Sequence, residues 1–367
     1  MSMHDQRIRQ VMEKSSAAGA EQLLLSDPLA IYYLTGVMLH PGERFLGLLL
    51  SEGKRPVLFV NELLRFQKEL PFLVVWYRDG ENILDQVVRE IRVKNGTEEK
   101  STLGVDKNFP ARFLLPVLFA CQNVMFTDGS RYVDDCRAVK DAFEQECMIR
   151  SSEINDQTME QAFSLLHTGI TELDLAEAVE KIYRSLGADG LAFSPKPAFG
   201  ENTGSPHHRP GDRTLKEGDV IRLDIGCTYE HYCSDMTRTC FYRRHVTEEE
   251  QRIYQLVREA NEAAERAVHP GTALKEIDRT ARQIIERGGY GKQFSHRLGH
   301  FIGLEDHDAG DVSAQSEETA GAGQIFSIEP GIYLPGKLGI RIEDLVLVTE
   351  DGARILNHFP KELQVLG

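Results

Sequence analysis

Asp224, Asp235, His300, Glu329 and Glu343 are the residues of this 367-residue chain whose types and spacing could do chemistry together. Four carboxylates and one neutral imidazole carry four negative charges, which is what two divalent cations need for local neutrality. Five side chains can serve two ions only where carboxylates bridge, and bridging holds the ions roughly 3.5–4 Å apart, close enough to share and activate one water. The set reads as a two-metal hydrolytic centre.

Most Asp and Glu residues are solvated surface charges, but the setting of these argues otherwise. Asp224 ends the apolar run Val220-Ile221-Arg222-Leu223, and Glu329 ends Ile325-Phe326-Ser327-Ile328. Both runs predict buried strands, where an unpaired carboxylate is unfavourable. The runs also copy one another. Gly218, Val220, Ile221, Leu223, Asp224 and Gly226 match Gly323, Ile325, Phe326, Ile328, Glu329 and Gly331 at a constant offset of 105 positions. Upstream, Gly169 and Thr171 open a helix that Gly187 closes, while Gly271 and Thr272 open one that Gly288 and Gly289 close. This is an internal repeat of about a hundred residues. One half supplies Asp224 and Asp235, the other His300, Glu329 and Glu343, so the centre is expected between two similar half-domains.

These strings resemble the creatinase, aminopeptidase P and prolidase family of "pita-bread" metallopeptidases. The resemblance is carried by Leu223-Asp224-Ile225-Gly226, Cys233-Ser234-Asp235-Met236-Thr237-Arg238-Thr239, His296-Arg297-Leu298-Gly299-His300-Phe301-Ile302-Gly303, Ser327-Ile328-Glu329-Pro330-Gly331 and Arg341-Ile342-Glu343-Asp344. Each string alone is weak. Their joint order, with 11 residues from Asp224 to Asp235, 29 from His300 to Glu329 and 14 from Glu329 to Glu343, is specific. The resemblance implies an α+β fold: a pseudo-twofold catalytic domain with a curved, mainly antiparallel sheet and outer helices, preceded by a smaller α/β domain.

The histidines need sorting. His296 and His300 have the four-residue spacing of a helical zinc motif, yet Arg297 stands where that motif needs its catalytic Glu, and Gly299 and Gly303 point to non-helical backbone. By the family pattern His300 is the ligand and His296 at most supports it. His307 and His207 fall where the family keeps two substrate-facing histidines, with His208 as the neighbouring confounder.

The resemblance implies that Glu329, besides ligating, acts as general base and then acid. His307 and His207 are the candidate donors to the developing oxyanion. Arg341 has two readings of nearly equal weight: an anchor for the substrate's carboxylate or a downstream carbonyl, and a salt bridge to a ligand carboxylate. The implied cofactor is two divalent ions per chain, with Mn²⁺ the first expectation and Co²⁺, Zn²⁺ or Fe²⁺ compatible with an oxygen-rich donor set. The implied substrate is a proline-containing peptide, cut at the Xaa–Pro bond from a free N-terminus. Dipeptides come first, as for a prolidase, with longer peptides, as for aminopeptidase P, the alternative. The acidic stretch Asp308-Ala309-Gly310-Asp311 stands where some prolidases have an arginine for the proline carboxylate, which weakens the strict dipeptide reading. A creatinase-like C–N hydrolase and a non-catalytic binding module weigh less, since such relatives lose ligands and this chain has all five.

At this length two domains are expected. Residues 1–134 alternate short strands (Leu23–Leu25, Phe45–Leu50, Val57–Val60, Leu73–Trp76, near Leu103–Val105) with a helix over Glu81–Ile91, and the passage after Asp134 opens the catalytic domain, 135–367. A domain of this first kind narrows the substrate entrance and contributes to dimers in the family, so a homodimer is the implied assembly. With 42 basic against 57 acidic residues, net −15, a nucleic-acid or anionic-membrane partner is disfavoured. Met1 to Arg7 lacks the apolar core of a signal peptide, and the longest apolar stretch, Phe113 to Phe126, is broken by Pro116 and Gln122, so a cytoplasmic location is the default. Six cysteines without a Cys-x-x-Cys pair read as reduced, small apolar side chains.

Overall fold

A computed structural model describes residues 2–91 and 100–367 of the chain. Its contacts divide into two compact units, Met1–Arg137 and Ala138–Gly367.

The first unit is built on a six-stranded mixed sheet. In spatial order its strands are Leu73–Tyr77, Val57–Asn61, Gly47–Ser51, Gln22–Leu25, Ser101–Val105 and Val124–Asp128. The turn at Glu52–Lys54 makes an antiparallel hairpin of Gly47–Ser51 and Val57–Asn61, whereas the parallel neighbours Ser101–Val105 and Val124–Asp128 are joined through the helix Ala111–Ala120. The strand Gln22–Leu25 is buried throughout, as an apolar run in a central strand should be. Three helices the apolar pattern left undefined also belong here. Met3–Ala17 opens with a reciprocal Ser2–Asp5 capping box; Pro28–Thr35 starts on an Asp27 cap with proline in its first turn; Ala111–Ala120 tolerates Pro116 inside it. The helix expected over Glu81–Ile91 runs Ile83–Glu90.

The second unit repeats one motif twice. A long helix, Ala142–Ser164, and a shorter one, Glu172–Ser185, precede the strand Val220–Ile225; Glu248–Ala267 and Leu274–Arg287 precede Ile325–Ile328. Thr247 and Glu250 form a capping box, and Asp141–Glu144 and Thr171–Asp174 form equivalent ones. Each half has its own core: one gathers Met159, Leu175, Val179, Leu223 and Ile225, the other Val257, Ala260, Ile277, Phe326 and Ile328. Burying each large aliphatic side chain is worth about 1.5–3 kcal/mol, so a charge at Val257 would open the second core.

One buried asparagine per half ties helix to strand. Asn155 donates to Ile225 O at 3.0 Å, and Asn261 donates to Ile328 O at 3.0 Å. The two carbonyls belong to neighbours of Asp224 and Glu329. Val220–Ile225 pairs antiparallel with Met236–Tyr242, placing Asp224 opposite Thr237; Ile325–Ile328 pairs antiparallel with Asp344–Val348, placing Ile328 opposite Asp344. An isolated bridge between Thr237 and Glu343 helps join the halves. The strands of this unit thus form short antiparallel ladders, with one parallel pairing, Phe241–Tyr242 with Val365–Leu366.

Candidate metal centre and substrate cavity

The five carboxylate and imidazole residues converge because each sits at the end of a ladder. Asp224 is the fifth residue of its strand, Asp235 directly precedes the partner strand Met236–Tyr242, Glu329 directly follows Ile325–Ile328, and Glu343 directly precedes Asp344–Val348. His300 is on the short strand Gly299–His300, confirming non-helical backbone there. Only glycine fits before it: a Cβ at Gly299 would lie 1.8 Å from Ser327 O.

Asp235, His300 and Glu343 have ligating atoms mutually within 4.8 Å, and all three are buried. His300 Nε2 is 3.6 Å from Asp235 Oδ2 and 3.7 Å from Glu329 Oε1. Asp224 lines the same cavity but leans on cations, accepting from Arg341 Nη2 at 2.5 Å with Lys196 Nζ 3.6 Å away. Arg341 also reaches Thr237 Oγ1 at 2.9 Å, Tyr333 Oη at 3.2 Å and Glu343 Oε2 at 3.5 Å. Its guanidinium is thus engaged by the carboxylates of Asp224 and Glu343 and by the hydroxyls of Thr237 and Tyr333. Thr237 in turn donates to Glu343 Oε2 at 2.6 Å.

These residues fit a divalent-cation site. Asp235 Oδ1 is buried without a hydrogen-bond partner. Burial, reinforced by the charge of Glu343, pushes both Asp235 and Glu329 well above the ordinary carboxylate range, and burial also raises Glu343. Burial acts on Asp224 too, but Arg341, Lys196 and Arg222 outweigh it and hold that carboxyl below its usual value. Buried carboxylates crowded this way need positive charge. Burial, then the neighbouring His307, drives the His300 pKa well down, leaving the neutral imidazole a cation would bind.

A cavity of about 990 Å³ opens over the five residues and is also lined by Lys196, His207, Arg297, Asp306, His307 and Arg341. His307 lies half-exposed, its ring stacked on His300 with centroids 3.8 Å apart and its Nδ1 2.6 Å from Arg297 Nη2. His207 is exposed at the cavity. His208, its neighbour, instead points Nε2 at the buried carboxylate of Glu172, 2.8 Å away. His296 is held by Arg297 O and Tyr333 Oη, and burial takes its pKa down to about 3. All six cysteines are buried and free.

Motif reading overlooked four cavity or support residues. Arg297 and Thr237 sit inside quoted strings, yet nothing about their types marked a role. Lys196 lies in Ser194-Pro195-Lys196-Pro197, which has no recognisable pattern, and Asp306 belongs to Glu305-Asp306-His307-Asp308, which looks like a solvated charge run. The two acids beyond His307 turn to other work: Asp308 is buried 3.5 Å from Lys140 Nζ, and Asp311 pairs with Arg297.

Comparison with known proteins agrees with this architecture. Residues 146–350 match the model of metallopeptidase family M24, and residues 6–139 match the Creatinase/Prolidase N-terminal domain. An uncharacterized peptidase of Staphylococcus aureus (strain USA300) is 35% identical over 362 residues, 97% of this chain and 99% of that protein. Among solved structures, a dipeptidase from Pyrococcus horikoshii OT3 is 33% identical with a TM-score of 0.90, covering 98% of this chain and 100% of its own. A prolidase from Thermococcus sibiricus is 31% identical with a TM-score of 0.91, each chain covered fully at 100%. A creatinase-type N-terminal domain followed by a pita-bread domain, with carboxylates and a histidine gathered at the junction of its two halves, makes this chain a member of metallopeptidase family M24.

Proposed function

We propose that the protein is an Xaa-Pro dipeptidase working with two divalent metal ions, Mn²⁺ first among them, held by Asp224, Asp235, His300, Glu329 and Glu343. The observation that carries the reading is the convergence of all five on one cavity together with His207, His307 and Arg341. The likeness to a dipeptidase and a prolidase over essentially the whole chain supports the substrate class.

When bound, such ions lower the pKa of water toward neutrality and stabilise charge on the scissile carbonyl. Glu329 takes the water's proton and returns it to the leaving amine as the reaction's base and then acid. His307 and His207 supply hydrogen bonds to the tetrahedral oxygen. Arg341 keeps Asp224 ionised and oriented through direct contact. An amide before proline has no N–H, so recognition must come from the chain ends and the ring, which a concave cavity can provide.

The N-terminal domain supports a homodimer within the same reading. No helix among the described residues is long and apolar enough to cross a membrane, which accords with the cytoplasmic placement we propose.

The test compares an Xaa-Pro dipeptide with an Xaa-Pro-Yaa tripeptide at matched concentration with Mn²⁺. A higher kcat/KM for the dipeptide is expected. A higher value for the tripeptide assigns the protein to aminopeptidase P chemistry, and hydrolysis of neither, with release of Met from Met-Ala peptides, overturns proline specificity.

A further inference from the structure

Among the acids lining the cavity, Asp306 stands apart. It lies outside the close cluster of Asp235, His300 and Glu343, and four carboxylates already balance two divalent ions. Its Oδ1 is buried with no hydrogen-bond partner, and its Oδ2 comes no nearer to a charged group than 3.6 Å, from Nε2 of the adjacent His307.

No cation of the cavity pairs with it directly, and Lys196 and Arg297 act on its charge only from a distance. Lys196 Nζ is 3.6 Å from Asp224 Oδ2 and lies 3.9 Å over the Phe193 ring; Arg297 is bound to Asp311 and His307; Arg341 is bound to Asp224 and Glu343. Among the described residues no Lys or Arg forms an ion pair with Asp306. A carboxylate with one oxygen shut off from water and no donor is unfavourable unless a ligand brings the donor. Its side chain is 22% exposed, so a group entering the cavity can reach it.

We propose that Asp306 is a specificity-determining residue that receives a cationic group of the substrate, an ammonium or a guanidinium. This rests on the peptidase reading above. Two sources share the chemistry: the side chain of a lysine or arginine in the substrate, and the substrate's own N-terminal amine. The side chain of Asp306 supplies the charge, and His307 beside it fixes where that charge sits relative to His300.

The experiment uses Mn²⁺-loaded wild type, Asp306→Asn and Asp306→Glu on Lys-Pro and norleucine-Pro, which differ in the side-chain ammonium, with bound metal measured alongside. Loss of one charge-assisted hydrogen bond predicts a fall of about tenfold to a hundredfold in kcat/KM. If the side chain is the ligand, the preference for Lys-Pro collapses in Asp306→Asn and is restored in Asp306→Glu. If the N-terminal amine is the ligand, both substrates fall together with metal content unchanged. A parallel fall accompanied by lost metal returns Asp306 to the metal centre and overturns the proposal, as does no change on either substrate. Should wild type hydrolyse no Xaa-Pro peptide, the function proposed above fails on its own. Calorimetric titration with lysine amide and norleucine amide then decides the role of Asp306: tighter lysine amide binding that Asp306→Asn abolishes sustains it, and equal binding of the two amides ends it.

Discussion

His307 stacks face to face on His300, with ring centroids 3.8 Å apart and planes 7° from parallel. His307, proposed to face the substrate, therefore also braces the imidazole proposed to bind metal, and its removal should act twice. His307→Ala is expected to lower kcat by about 10²–10³, the loss typical of one oxyanion donor, and to weaken metal retention. His307→Phe keeps the stack and should recover metal retention without recovering kcat. Steady-state kinetics and metal titration of both variants read this out; wild-type kcat in His307→Phe would remove His307 from the chemistry.

Asp235 is buried beside His300 and Glu343, with one oxygen unpartnered. Asp235→Asn removes charge at constant volume, so the protein should remain folded while turnover is abolished. Circular dichroism and kcat on the same preparation check this. Near wild-type kcat would refute the assignment of Asp235 as a ligand.

Arg341 is the main compensating charge for Asp224. Arg341→Met strands buried carboxylates, and breaking such a pair typically costs about 3–5 kcal/mol. Denaturant unfolding of chelator-treated protein should show a loss of this order, smaller once Mn²⁺ is added. If stability is unchanged but KM for the dipeptide rises steeply, Arg341 anchors substrate instead.

Glu265 makes a separable pH prediction. Burial, then repulsion from Asp344, raises its pKa from 4.5 to about 7 despite the Lys361 ammonium 2.5 Å away. Because the folded value is above the unfolded one, the stability this group contributes is complete below 4.5 and is lost as pH rises through about 7. Glu265→Gln should therefore gain on wild type as pH is raised through that window, by about 1–3 kcal/mol. Melting temperatures of both proteins across the window measure it, and a constant difference would contradict it.

Chelator treatment should abolish hydrolysis, and Mn²⁺ should restore it at two equivalents per chain. The metal-free protein should also melt lower, since Asp235, Glu329 and Glu343 then repel one another in a buried site. Elemental analysis showing only traces of metal in protein never exposed to chelator, still inactive after metal addition, would sink the hydrolase reading.

The sequence by itself determined the two strands that position Asp224 and Glu329 and the ligand candidates. A carboxylate ending an apolar run, repeated 105 positions later, marks two buried strands of one motif, because side-chain periodicity and desolvation are local properties of the chain. Gly169 and Thr171 likewise announced the helix Glu172–Ser185 from local residues. Tertiary structure alone decided how the charges are apportioned. Arg341 pairs with Asp224 across 117 positions, and Thr237 meets Glu343 across 106. The same applies to Asp306, Asp308 and Asp311, three acids within six residues that read alike in sequence. Folding turns Asp308 toward Lys140, gives Asp311 to Arg297 and leaves Asp306 facing the cavity. Which partner a charge meets depends on chain segments brought together from far apart, and no local pattern encodes that.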